Sequence, residues 1–177
     1  MVATLPIRKF GDPVLRERAR EVEAVSDLHR HLAKDMLETM RQTGNGVGLA
    51  GNQVGVLDRI FVWEVEDDHG TVINPVITER SSETVEGDEG CLSIPGIYYP
   101  VVRSISVTVE GINEMGEPLT IEASEFFARV CQHEIDHLDG VLFIDRLTDE
   151  LRRQALAEIR DQALGLRPVN RHNEDAL

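Results

Sequence analysis

The chain has 177 residues, enough for one domain of ordinary size that buries its own core without disulfides or a structural metal. Its 18 basic and 32 acidic side chains give a formal net charge of -14, which repels a phosphate backbone and argues against general nucleic-acid binding. The opening MVATLPIRKFGDP holds no signal-peptide core, and no stretch approaches the roughly 20 apolar residues of a membrane span, so a cytoplasmic protein with no membrane partner is expected.

Taken in chain order, the first predicted element is a helix capped by Ser26 and running to about Thr43. Leu28, Leu32, Met36 and Met40 recur on it at four-residue spacing as an apolar stripe, with His29 and His31 toward solvent. Next comes GNGVGLAGNQVG, residues 44 to 55, too irregular in its glycine spacing for a Walker A or Rossmann loop. RIFVWEV and TVINPVI, separated by DDHG, predict a hairpin, and the acidic run from Glu79 to Glu89 reads, Glu89 excepted, as a solvated loop leading to Cys91. SISVTVEGI, turned by NEMGEP into LTIEA, predicts a second antiparallel pair. Ser124 is then placed to cap a second helix that Gly140 ends. Thr148, with Asp149 and Glu150 in the first turn, opens a third running to about Leu164. Strands in runs with helices set apart imply an α+β fold rather than alternating α/β. No linker divides the chain, so residues 1–164 read as one domain and 165–177 as a loosely ordered tail.

The second helix carries CQHEIDHLDG, residues 131 to 140. At about 100° per residue, His133 and His137 lie within about 40° of each other on one face, with Glu134 beside them, so two imidazoles and a carboxylate can converge on one ion. A metzincin protease would need a third histidine where Phe143 stands, and a thermolysin-like site would need a later glutamate, for which only Glu158 is well spaced. Cys131 points about 200° away from His133 and reads as a small core residue. Cys91, in the irregular GDEGCLSIPG, is the better upstream candidate for a third ligand. A metalloendopeptidase and a closed, non-catalytic metal site stand as alternatives; the first lacks its third histidine, the second a fourth protein ligand. In the glycine-rich stretch, close backbone approach to a ligand is possible, and Gln53 offers an amide donor.

Three separated segments resemble the bacterial peptide deformylases: GVGLAGNQ (Gly46 to Gln53), EGCLS (Glu89 to Ser93) and QHEIDH (Gln132 to His137). FGDPVLR and LDGVLFIDRL are also similar to that family, so the likeness runs over nearly the whole chain. The resemblance implies antiparallel sheets packed around the HExxH helix, and one divalent metal held by Cys91, His133 and His137 with water as the fourth ligand. Fe(II) is the implied ion, with Ni, Co or Zn able to substitute. It implies that Glu134 is the general acid/base, and that Gln53 and the Leu92 N–H face the oxyanion as an N-formylmethionyl peptide is hydrolysed to formate and a free amine. Val47, Gly48, Glu89, Phe126 and Val130 would border the methionine cleft, and Asp136 would pair with Arg103 behind the ligands. Gly51 and Asn52 depart from the usual first motif, a difference bearing on loop rigidity and substrate preference. Nascent chains leave the ribosome, and residues 149–177, with five arginines against six acids, are the less acidic segment expected to contact it.

Overall fold

In the computed structural model, residues 3–167 are described. The expected loose tail therefore lies, from residue 168 on, outside the described residues. Among the described residues three α-helices, α1 (Asp27–Gln42), α2 (Glu125–Leu138) and α3 (Asp149–Ala163), accompany seven strands, β1 (Gly48–Ala50), β2 (Ile60–Val65), β3 (Asp68–Arg80), β4 (Thr84–Cys91), β5 (Ile94–Ser104), β6 (Ser106–Ile112) and β7 (Pro118–Ser124). The named strands all pair antiparallel: one five-stranded sheet in the order β1-β2-β3-β6-β7, and a separate β4–β5 hairpin. This is the expected α+β architecture. Among the described residues no helix is long and apolar enough to cross a membrane.

α2 is central because it is apolar or paired all round: every residue from Ala128 to Leu138 is buried. One side packs on the large sheet through Ala128, Val130, Cys131, Ile135 and Leu138 against Phe61, Trp63, Val72 and Val109. Cys131 is the enclosed core residue expected. The β4–β5 hairpin has its own apolar cluster, in which Cys91, Ile94, Ile97 and Val101 join Phe143, Ile144 and Ala155 of the chain after α2. Strand β7 runs straight into α2, and Glu125 makes the reversal with a φ of 51°. Ser124 stands at the cap position, yet its hydroxyl makes no capping bond, since its backbone is still paired with Ser106.

Several local expectations need correction. Leu28 is 80% exposed, because residues four apart drift about 40° per step round a helix. Ala33, Met36, Thr39 and Met40 are the buried set instead. His29 turns back to accept the Ser26 N–H at 3.0 Å, leaving only His31 exposed. The first hairpin turns at Glu66-Asp67, with Asp68 to Gly70 already in β3. The acidic run is mostly strand rather than loop: residues 84–91 pair with β5, with Thr84 to Glu86 and Asp88 exposed and Glu89 buried.

The glycine-rich stretch is ordered rather than loose. Gly51 to Val54 form a turn of 3₁₀ helix buried throughout, and the Asn52 Nδ2 donates to the Glu17 carbonyl at 2.6 Å. A Cβ on Gly51 would lie 2.9 Å from both the Val56 and Asp58 carbonyl oxygens. Of the two residues that depart from the family pattern, Gly51 thus seats the following loop closely and Asn52 ties the turn to the segment before α1.

Candidate metal centre and active site

Helix α2 presents His133, Glu134 and His137 toward the end of β4, where Cys91 closes the strand before the tight Leu92-Ser93 turn into β5. One ligand atom each from Cys91, His133 and His137 lies within 4.8 Å of the others, and all three residues are buried. Cys91 Sγ is 3.2 Å from His137 Nε2. His133 donates through Nδ1 to Glu89 Oε2 at 3.0 Å, which fixes the tautomer with a bare Nε2. That Nε2, His137 Nδ1 and both Glu134 oxygens are buried without a hydrogen-bond partner among the described residues.

These orphaned atoms carry the expected electrostatic strain. Burial pushes the Cys91 thiol up to about 12. It also raises the Glu134 carboxyl well above its usual range, helped by the Glu89 charge, and lowers His137 well below its own, helped by His133. Two imidazoles and a thiol are the donors of a zinc, iron, cobalt or nickel site, and a divalent cation among them would favour the thiolate that burial disfavours. The donor set and the unpartnered atoms fit a metal.

Behind His133 lies a buried ionic relay. Glu89 is fully enclosed and takes a bidentate pair from Arg103 at 2.8 and 2.9 Å, with Arg129 at 2.9 Å. Arg103 also donates to Asp136 at 2.6 Å, and Arg146 closes on the same aspartate. Burial alone would raise the Glu89 carboxyl, but Arg103 and then His133 outweigh it and hold it well below the usual range. The Arg103–Asp136 pair is enclosed rather than exposed.

The first motif meets this cluster from the other side. A Cβ on Gly48 would fall 2.4 Å from Glu134 Oε1, so only glycine lets β1 pass the carboxylate. Gln53 is buried; its Oε1 accepts the Ala50 N–H at 2.8 Å, which turns Nε2 toward Cys91 Sγ at 3.5 Å and Ser93 Oγ at 3.3 Å. All three quoted motifs therefore converge at one place.

The sequence model of the polypeptide deformylase family matches residues 4–153. The chain belongs to the polypeptide deformylase family. A peptide deformylase of Acidothermus cellulolyticus is 50% identical over 160 residues, which cover 90% of this chain and 88% of that one. The crystal structure of peptide deformylase from Thermus thermophilus is 48% identical with a TM-score of 0.85, covering 92% of this chain and 96% of that one. The Ehrlichia chaffeensis peptide deformylase in complex with actinonin is 36% identical with a TM-score of 0.86, covering 91% and 98%.

Of the residues assigned to a deformylase cleft by resemblance, Gly48 lies against the Glu134 carboxylate. Val47 packs against the sheet–α2 core, Val130 is fully enclosed within it, and Phe126 stands 41% exposed on the first turn of α2. Glu89 is fully buried and accepts from His133 Nδ1. Leu92 is buried, with its carbonyl taken by Lys9 Nζ at 2.7 Å. Glu158, the thermolysin-like candidate, lies on α3, where it accepts the Tyr99 hydroxyl and pairs with Arg167 beyond the helix end. Sequence reasoning missed Arg129, Arg146 and Ser93. A signal was present for the first: an arginine inside the apolar run Ala128 to Cys131 must find a buried anion.

Proposed function

We infer that Cys91, His133 and His137 hold one divalent metal and that residues 1–164 act as one catalytic domain. It removes the formyl group from N-formylmethionyl ends of newly made proteins, releasing formate. The observation that carries this reading is the convergence of three soft donor atoms with an unpartnered carboxylate, Glu134, in a chain of the deformylase family. When bound, the ion supplies Lewis acidity and makes water ionise near neutral pH. Fe(II) is our proposal for the native ion, with nickel, cobalt or zinc able to take its place in a Cys/His set.

Glu134 then accepts the proton of the attacking water and returns it to the departing amine nitrogen, a role suited to a carboxyl whose pKa burial has raised. Gln53 Nε2 and the Leu92 N–H meet the charge that develops on the formyl oxygen, each such donor being worth about 3 kcal/mol. Val47, Gly48, Glu89, Phe126 and Val130 are assigned to the border of the methionine cleft.

Anaerobically purified protein should carry stoichiometric metal and deformylate a formyl-methionyl peptide. Cys91→Ala should lose metal and activity together, because a ligand is removed. Full metal and full rate in that variant, or cleavage of unformylated internal peptide bonds by the unaltered protein, would sink the assignment.

A cytoplasmic location and transient contact with the ribosome complete the proposal. The less acidic α3, with Arg152, Arg153 and Arg160, supports that contact. Removing residues 165–177 is expected to weaken low-salt binding to ribosomes. Unchanged affinity would remove the tail from the contact.

A further inference from the structure

Three consecutive residues near the start of the chain grip the two segments that touch the Cys91 sulfur. The Arg8 N–H donates to the Gln53 carbonyl at 2.7 Å, Lys9 Nζ to the Leu92 carbonyl at 2.7 Å, and the Phe10 N–H to the Ser93 carbonyl at 2.9 Å. Gln53 and Ser93 are in turn the residues whose N–H groups reach Cys91 Sγ, through Gln53 Nε2 at 3.5 Å and the Ser93 backbone at 3.4 Å. The peptide unit joining Leu92 to Ser93 is thus held at both ends, its oxygen by an ammonium and its N–H against the sulfur.

We propose that Lys9 is a positioning residue for the metal-bound Cys91 thiolate, acting through the Leu92-Ser93 peptide, an inference that rests on Cys91 being a ligand as read above. A cation on a peptide oxygen draws electron density from its nitrogen and makes the N–H a stronger donor, so the effect of Lys9 is delivered to the sulfur along the peptide. Donation to a ligating thiolate lowers its lone-pair energy and leaves the ion more electron-poor, which favours polarisation of the substrate carbonyl. Lys9 belongs to none of the three motifs and is an exposed residue, so its side chain can be changed without opening the core.

The test uses cobalt(II)-loaded full-length protein. Lys9→Met should move the thiolate-to-cobalt charge-transfer band to lower energy and reduce kcat about 3- to 10-fold at unchanged KM. That loss is smaller than the roughly 10- to 100-fold of a group touching a ligand directly. Lys9→Arg, which keeps the charge and the donor, should restore both, a rescue that a merely structural contact would not need. A Lys9→Met protein with the wild-type band and kcat overturns the role of Lys9 and leaves the metal reading standing. Absence of any thiolate-to-cobalt band in the wild-type protein overturns both.

Discussion

Glu134→Gln is expected to slow deformylation of a formyl-methionyl peptide by about 100-fold or more, the usual worth of a positioned general base, while the protein keeps its full complement of metal. The carboxylate makes no hydrogen bond to Cys91, His133 or His137, and neither of its oxygens has a partner among the described residues. An amide of nearly the same size therefore leaves the ligand set untouched. It fits beside Gly48 as the carboxylate does, but it cannot take up the water's proton. Because burial and Glu89 already disfavour the charged carboxylate, the metal-free variant should melt no lower than the unaltered protein. Metal analysis, kcat and apo-protein melting together test the assignment, and near-normal turnover would falsify the role of Glu134.

Arg103→Met should strongly destabilise the protein. The guanidinium directs its donors to two enclosed carboxylates, Glu89 and Asp136, whose side chains are 0% and 11% exposed. Removing one partner from such a network leaves buried charge uncompensated and costs about 3–5 kcal/mol, roughly 6–20 °C in melting temperature for a domain of this size. Glu89 retains Arg129 and His133, and Asp136 retains Arg146, so the protein should still fold at low temperature. The carboxylate that aligns His133 loses its bidentate clamp, and metal affinity should fall about 10- to 100-fold. A variant that melts within a degree or two of the wild type and binds metal equally well would show that the relay is not what holds His133.

The helix bearing His133, Glu134 and His137 was legible because its message is local: residues four apart share a face whatever surrounds them. Cys91 and the glycine-rich stretch could be singled out from their irregular neighbours, and the antiparallel pairs from alternation, which is again short-range. Strands β4 and β5 escaped because TVEGDEG has no apolar alternation, and its pairing with β5 is what makes it a strand. Burial of Glu89 could not be read from an acidic run either. It depends on Arg103 and Arg129, 14 and 40 residues away, arriving in the same enclosed space. The apolar stripe of α1 was visible, but which edge of it meets the sheet was decided by packing, so Leu28 faces solvent and Thr39 does not. Sequence by itself determined which side chains are able to bind a metal and move a proton, since donor chemistry and helical spacing belong to the residues. Only the tertiary structure decided which charges stand behind them, because a buried ion is tolerated only where distant parts of the chain bring its counter-ion to it.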